Sequence, residues 1–169
     1  RHTLRHEREN LAICMEAVAH LNMHSLAAGV AVVWMELIEA YGPADSVIER
    51  LACIDESKIE PPHLAHYLKG KGKILRKIGR LDHASETARR ALEAYRQDGD
   101  RSGEASVYWL LGVCVWRQGQ IDLAAELMEN ALEIHKALGV PGAEFTVVNG
   151  LGCFYLENGE RERSRGYLE

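Results

Sequence analysis

The chain has 169 residues, 47% of them hydrophobic and 27% charged, with a net charge of −5. That length and apolar share suit one domain-sized core. No apolar run approaches the roughly 18 uncharged residues of a membrane span and no signal peptide opens the chain, so it reads as a soluble, cytoplasmic protein without a membrane partner.

The chain opens at Arg1 without a methionine and ends at Glu169 inside a helical pattern, which points to a piece of a longer protein. Residues 7–22 and 24–41 predict a first helical pair. The second member is apolar nearly all round until Glu36 and Glu39, as expected of a helix buried from several sides. Tyr41-Gly42-Pro43 ends it, because proline cannot continue the helix. A shorter helix starts at Asp45 or Ser46 and runs through Cys53, and a polar linker follows from Asp55 to Glu60. Pro61-Pro62 then pre-set the first turn of the next helix.

From Leu68 onward one pattern recurs every forty residues. Gly72, Gly112 and Gly152 share that spacing, as do Gly79, Gly119 and Gly159, Ala84, Ala124 and Ser164, and Ala91-Leu92 with Ala131-Leu132. A fixed period of this size marks stacked units, none of which buries its apolar face alone. In the clearest copy, Ser106 to Gln118 is apolar over most of its circumference and stops at Gly119. Ile121 to Leu138 then carries Leu123, Ala124, Leu127, Met128, Ala131, Leu132 and His135 as one stripe. Gly112 and Ala124 let the two helices approach closely.

These residues resemble the tetratricopeptide repeat. Its motif is matched by Tyr108, Leu111-Gly112, Val115, Gly119, Ala124, Met128 and Ala131, then by Val148, Leu151-Gly152, Tyr155, Gly159, Ser164 and Leu168, and earlier by Leu68, Lys71-Gly72, Leu75, Gly79, Ala84, Ala88 and Ala91. Several aromatic slots hold aliphatic residues, Lys71 replaces the usual leucine, and the unit exceeds the common thirty-four residues. The long period, the Ala-Leu-Glu near each second helix's end and the lead-in around Glu7 to Leu11 and Ile48 to Ala52 are similar to the C-terminal repeat regions of bacterial STAND-type ATPases and transcriptional regulators. The resemblance implies an all-α superhelix of antiparallel helix pairs. Residues 1–60 would form the lead-in helices, a degenerate helical repeat and the linker, and 61–100, 101–140 and an incomplete 141–169 the repeats.

In such a superhelix the first helix of each unit lines the concave face. By the motif register, Lys69, Lys73, Arg76 and Lys77 point there, followed by Trp109, Trp116 and Arg117 in the next unit and Asn149 in the last. The aligned cations call either for an acidic partner or for compensation by Glu36 and Glu39. Trp109 suits a partner-binding anchor, whereas Trp116 suits the filling of a narrow interior. The expected function is a non-catalytic interaction or sensor module for a peptide, a protein or another domain of its own regulator. The alternative is a small-molecule effector pocket beside Trp109. The exposed end near Tyr155 and Leu168 is expected to promote homo-oligomerisation.

Chemistry finds little support. The Gly-Lys at 70–71 lacks the glycine five residues earlier and the hydroxyl residue after it that a phosphate loop needs, since Ala65 and Gly72 stand there. His20 with His24 and His63 with His66 could share helix faces, but neither pair has the third ligand that zinc requires. Cys14, Cys53, Cys114 and Cys153 form no CxxC and read as buried reduced thiols. No catalytic constellation, cofactor cradle or metal site stands out. Direct nucleic-acid binding is disfavoured by the net acidity and the lack of stacking aromatics between the cations.

Overall fold

A computed structural model describes residues 2–139 and 141–168. Arg1, Val140 and Glu169, where the sequence places the chain ends and one repeat boundary, lie outside the described residues. Among the described residues there are nine α-helices and no strand: α1 His2–His20, α2 His24–Tyr41, α3 Val47–Leu51, α4 Pro61–Lys77, α5 Leu81–Asp98, α6 Arg101–Arg117, α7 Ile121–Leu138, α8 Pro141–Glu157 and α9 Arg161–Leu168. A short 3-10 turn, Glu56–Lys58, sits in the linker before α4. The architecture is an all-α, tetratricopeptide-like superhelix.

The forty-residue period has a direct structural cause. The first helices α4 and α6 have 17 residues each, and the second helices α5 and α7 have 18. Each first helix is closed by the same device: Gly79, Gly119 and Gly159 take φ of +78°, +84° and +84°, which only glycine adopts without strain. The following backbone N–H then bonds back to a carbonyl of the last turn, Arg80 to Leu75 at 2.9 Å, Gln120 to Val115 at 3.0 Å and Glu160 to Tyr155 at 2.8 Å.

Within a unit, the glycine of the first helix lies against the backbone of the second. A Cβ on Gly112 would come within 2.7 Å of Met128 Cγ and 3.3 Å of the Ala124 carbonyl oxygen. One on Gly72 would meet Leu110 at 3.1 Å and face the backbone of Ala84 and Ala88. In the last unit the Ser164 hydroxyl donates to the Gly152 carbonyl at 2.8 Å. Ala84, Ala88, Ala91, Ala124 and Ala131 are fully buried at these contacts. A buried apolar cluster from Ala12 to Cys114 and another from Val115 to Tyr155 are joined by the half-buried Tyr108 and Leu127.

The lead-in helices α1 and α2 pack on each other as the expected first pair. α2 runs parallel to α4: near its start the Ser25 hydroxyl accepts the Glu60 N–H at 2.9 Å, midway Met35 lies on Gly70, and at its end the Ile38 and Glu39 carbonyls accept Lys77 Nζ at 2.8 and 2.7 Å. α2 therefore lies beside α4 as a first helix lies beside the next first helix. The second helix of that unit is replaced by the five-residue α3 and the 3-10 turn. α1 packs on α2 and is tied to α3 by Arg50, which bonds Glu16 at 2.7 Å and Glu9 at 3.0 Å. Buried His24 joins α2 to the linker, its Nδ1 accepting the Asp55 N–H at 3.1 Å.

Two sequence expectations are corrected. Cys14 and Cys153 are exposed; only Cys114 is fully buried. Tyr155 is 1% exposed rather than part of an open terminal face. Its ring stacks on Tyr167 at 5.6 Å and its hydroxyl donates to Glu129 at 2.5 Å, because α9 folds back over it. Leu168 is half exposed.

Gly112→Leu should lower stability by about 1–3 kcal/mol through overpacking, whereas Gly29→Ala, where a Cβ meets nothing within 4 Å inside α2, should raise it by about 0.5–1 kcal/mol. Thermal melting of the two variants checks this; equal melting would rule out the close approach at Gly112. A second expectation concerns His135, which is 4% exposed with Nδ1 unpartnered, its pKa pushed down by burial. Burial favours the neutral form in the folded state, so this contribution is unchanged above the unfolded pKa of about 6.5 and stability falls as acid protonates the unfolded chain. Denaturant melts between pH 7 and 5 should show a shallower decline for His135→Leu.

Candidate functional groove

The parallel first helices α2, α4, α6 and α8 line one side of the superhelix. A buried helix can present only the side chains that its neighbours leave uncovered, which here come at three- and four-residue spacing. These are Val32, Glu36 and Glu39 on α2, His66, Lys69, Lys73 and Arg76 on α4, Ser106, Trp109 and Val113 on α6, and Thr146 on α8.

Electrostatically the groove is a basic stripe held by one carboxylate. Glu39 binds Lys73 at 3.0 Å through one oxygen and Arg76 at 3.1 Å through the other. Both cations therefore have internal compensation and a fixed position. Lys77 is turned away, capping the carbonyl end of α2, where a cation meets the negative pole of the helix. Lys69 has no carboxylate at salt-bridge distance among the described residues and sits 5.5 Å above the Tyr95 ring. Burial, and then the neighbouring Lys73, push its pKa down, against a weaker pull from Glu36.

The aromatic part lies one unit further on. Trp109 is half buried, with its ring against Gly150, where any Cβ would collide with it. Trp116 is half buried and meets Phe154 edge-on at 5.3 Å, so much of it serves the contact between units. Arg117 is exposed and Asn149 half buried. Between the cations and Trp109 lies a hollow of about 270 Å³, bounded by Glu39, Lys73 and Arg76 on one side and by Trp109, Val113 and Thr146 on the other. It brings together Lys73, Arg76 and Trp109 of the sequence-derived site. Thr146, which the motif register also puts on this face, completes it together with Ser106 and Val113, whose short side chains carry no signal that would single them out in the sequence.

Residues 65–98 match a tetratricopeptide repeat. The stretch begins within α4 and takes in all of α5, the unit that supplies the groove's basic stripe. Tetratricopeptide repeats generally mediate protein–protein interactions. The crystal structure of BtubC (BKLC) from P. vanneervenii has a similar fold, with a TM-score of 0.75 over 97% of this chain and 70% of that one, at 17% sequence identity. No curated protein matches the sequence. Among the described residues no three His, Cys, Asp or Glu side chains gather as a metal site would need, and no helix is long and apolar enough to cross a membrane.

Glu39→Gln should leave Lys73 and Arg76 repelling each other without a counter-charge. The loss should be about 0.5–1 kcal/mol at low salt and shrink as salt screens the pair. Melting at two ionic strengths reads it; a loss independent of salt would show that Glu39 contributes packing rather than charge.

Proposed function

We propose that the chain is a non-catalytic interaction module that holds a peptide or protein segment along its concave groove. The carrying observation is the hollow in which Lys73 and Arg76, prepositioned by Glu39, face the half-buried Trp109. A binding surface gains most from aromatic anchors and cations already ordered before the partner arrives. Lys69, Arg117 and Asn149 extend the same face and would set orientation and association rate. The long repeat period and the lead-in helices favour a place within a larger bacterial signalling or transcriptional regulator of the STAND type, with the partner segment coming from another protein or from that regulator's other domains. The reading as a small-molecule effector pocket gains less: at about 270 Å³ the hollow lies below the usual range of about 300–1,000 Å³ for such sites and is open along the groove.

Screening the intact chain against a peptide array, followed by tryptophan fluorescence titration of the hits, tests the proposal. Thr146→Arg, an exposed position whose new side chain would fill the hollow, and Lys69→Glu should each weaken a groove ligand about tenfold or more without lowering the melting temperature. Binding that survives both changes would place the ligand elsewhere.

A further inference from the structure

The exposed apolar surface of this molecule is unevenly distributed. Of the eleven large hydrophobic residues exposed among the described residues, six lie on α1, α2 or their connection: Ile13, Leu21, Met23, Leu26, Val33 and Tyr41. Leu21 is 71% exposed, Leu26 51% and Val33 50%. Leu26 and Val33 fall two turns apart on one side of α2, with the half-buried Val30 beside them, and α1 adds the half-buried Leu11 and Val18 and the exposed Cys14.

The repeat itself indicates what such a surface accepts. α1 ends in a left-handed residue, Asn22 at φ +61°, just as α5 ends at Gly99 and α7 at Gly139. Each of these helices leads directly into a groove-lining helix. Counting back from the left-handed residue, Leu11, Cys14 and Val18 stand where α5 has Ala88, Ala91 and Tyr95 and where α7 has Met128, Ala131 and His135. All six of those residues are buried. Ala88 and Met128 lie against the first-helix glycines Gly72 and Gly112, and Tyr95 meets His66 of α4 edge-on at 5.2 Å. α1 thus presents the side that a second helix turns toward its first helix, and no described helix lies there. The positions are apolar, as the internal interface requires, yet Cys14 is exposed and Leu11 and Val18 are only half buried at the edge of the core.

Charge narrows the occupant. A first helix runs antiparallel to its second helix, so its carbonyl end would reach Glu7, which takes the place of Ala84 and Ala124 in the same count. Glu7 and Glu36 both expose carboxylates there. A helix C-terminus beside carboxylates is unfavourable unless its last turn is basic, as in α4 with Arg76 and Lys77 and in α6 with Arg117. We propose that the open face of α1 and α2 is a docking seat for an amphipathic α-helix with a basic C-terminal turn, laid parallel to α2 in the relation that α4 has to α5. Glu36 also borders the groove, but the hollow between Lys73, Arg76 and Trp109 takes in none of the seat's residues, so a ligand in that hollow and a docked helix would not compete.

A fluorescein-labelled synthetic peptide with the sequence of residues 61–78, which carries the chain's own first-helix pattern, is the probe, titrated against the intact chain by anisotropy. Saturable binding is expected, absent for a scrambled peptide. It should weaken about tenfold or more in a Leu26→Asp/Val33→Asp double variant and stay unchanged in Thr146→Arg. Changing the peptide's Arg76 and Lys77 to Glu should weaken it several-fold. Because the double variant could also disturb folding, a nitroxide on Cys14 in a Cys53→Ser/Cys153→Ser background gives an independent reading: it should broaden the bound peptide's NMR signals. No binding, binding indifferent to Leu26 and Val33, loss in Thr146→Arg instead, or no broadening from Cys14 would each overturn the proposal. So would concentration-dependent sedimentation of the chain alone that Leu26→Asp/Val33→Asp abolishes, since the face would then belong to a second copy.

Discussion

The close approach of each first helix to the second helix of its own unit is the constraint on which the molecule depends. At Gly72 and Gly112 the missing side chain lets the backbone of the next helix come within van der Waals distance, and Ala84, Ala88, Ala124 and Ala131 keep the facing side small. Interiors are packed as densely as crystals, so a helix pair this close has one register and little freedom to slide. Everything else follows from that spacing. The glycine turn at Gly79, Gly119 and Gly159 reverses the chain at a constant angle, and the first helices then align in parallel on one side. The groove is the uncovered side of those helices.

Charge is arranged around this frame. Four cations on α4 would repel one another if left alone, yet Glu39 binds two of them and the end of α2 takes a third. Lys71 shows the same economy on the other side of α4. It stands where the repeat motif has leucine, and it reaches Glu56 in the linker at 2.6 Å, which Arg90 also binds at 2.8 Å. Burial alone would raise the pKa of Glu56, but the two cations outweigh it and hold the carboxyl below its usual range. A departure from the motif thus became the link between the 3-10 turn and the first clear repeat. The shortened α3 leaves room for that turn, which stands in for a missing second helix.

The groove and the open face of α1 and α2 are two surfaces with different physics. In the groove a few cations and an aromatic wall offer directional contacts within a hollow that is already shaped. The lead-in face offers apolar area in the register of an existing helix interface, with directionality supplied only by carboxylates at one end. Recognition at the first would depend on individual side chains, and at the second on helix geometry.

The sequence by itself determined the helices, their period and their closing turns, because these rest on local properties: glycine's access to positive φ, small residues at forty-residue spacing, and apolar stripes at helical spacing. It also pointed to Lys73, Arg76 and Trp109, since the motif register puts those positions on a first helix's open side. What it left undecided, the tertiary structure settled. Whether the cations were compensated depended on Glu39, more than thirty residues away, arriving within 3.1 Å. Where α2 lies relative to α4 turned on α3 being too short to act as a second helix, which brought α2 directly beside α4. The burial of Tyr155 required α9 to fold back and stack Tyr167 upon it. Each of these is a meeting of distant segments, where the outcome depends on which surfaces compete for the same space, and periodicity along the chain carries no record of that competition.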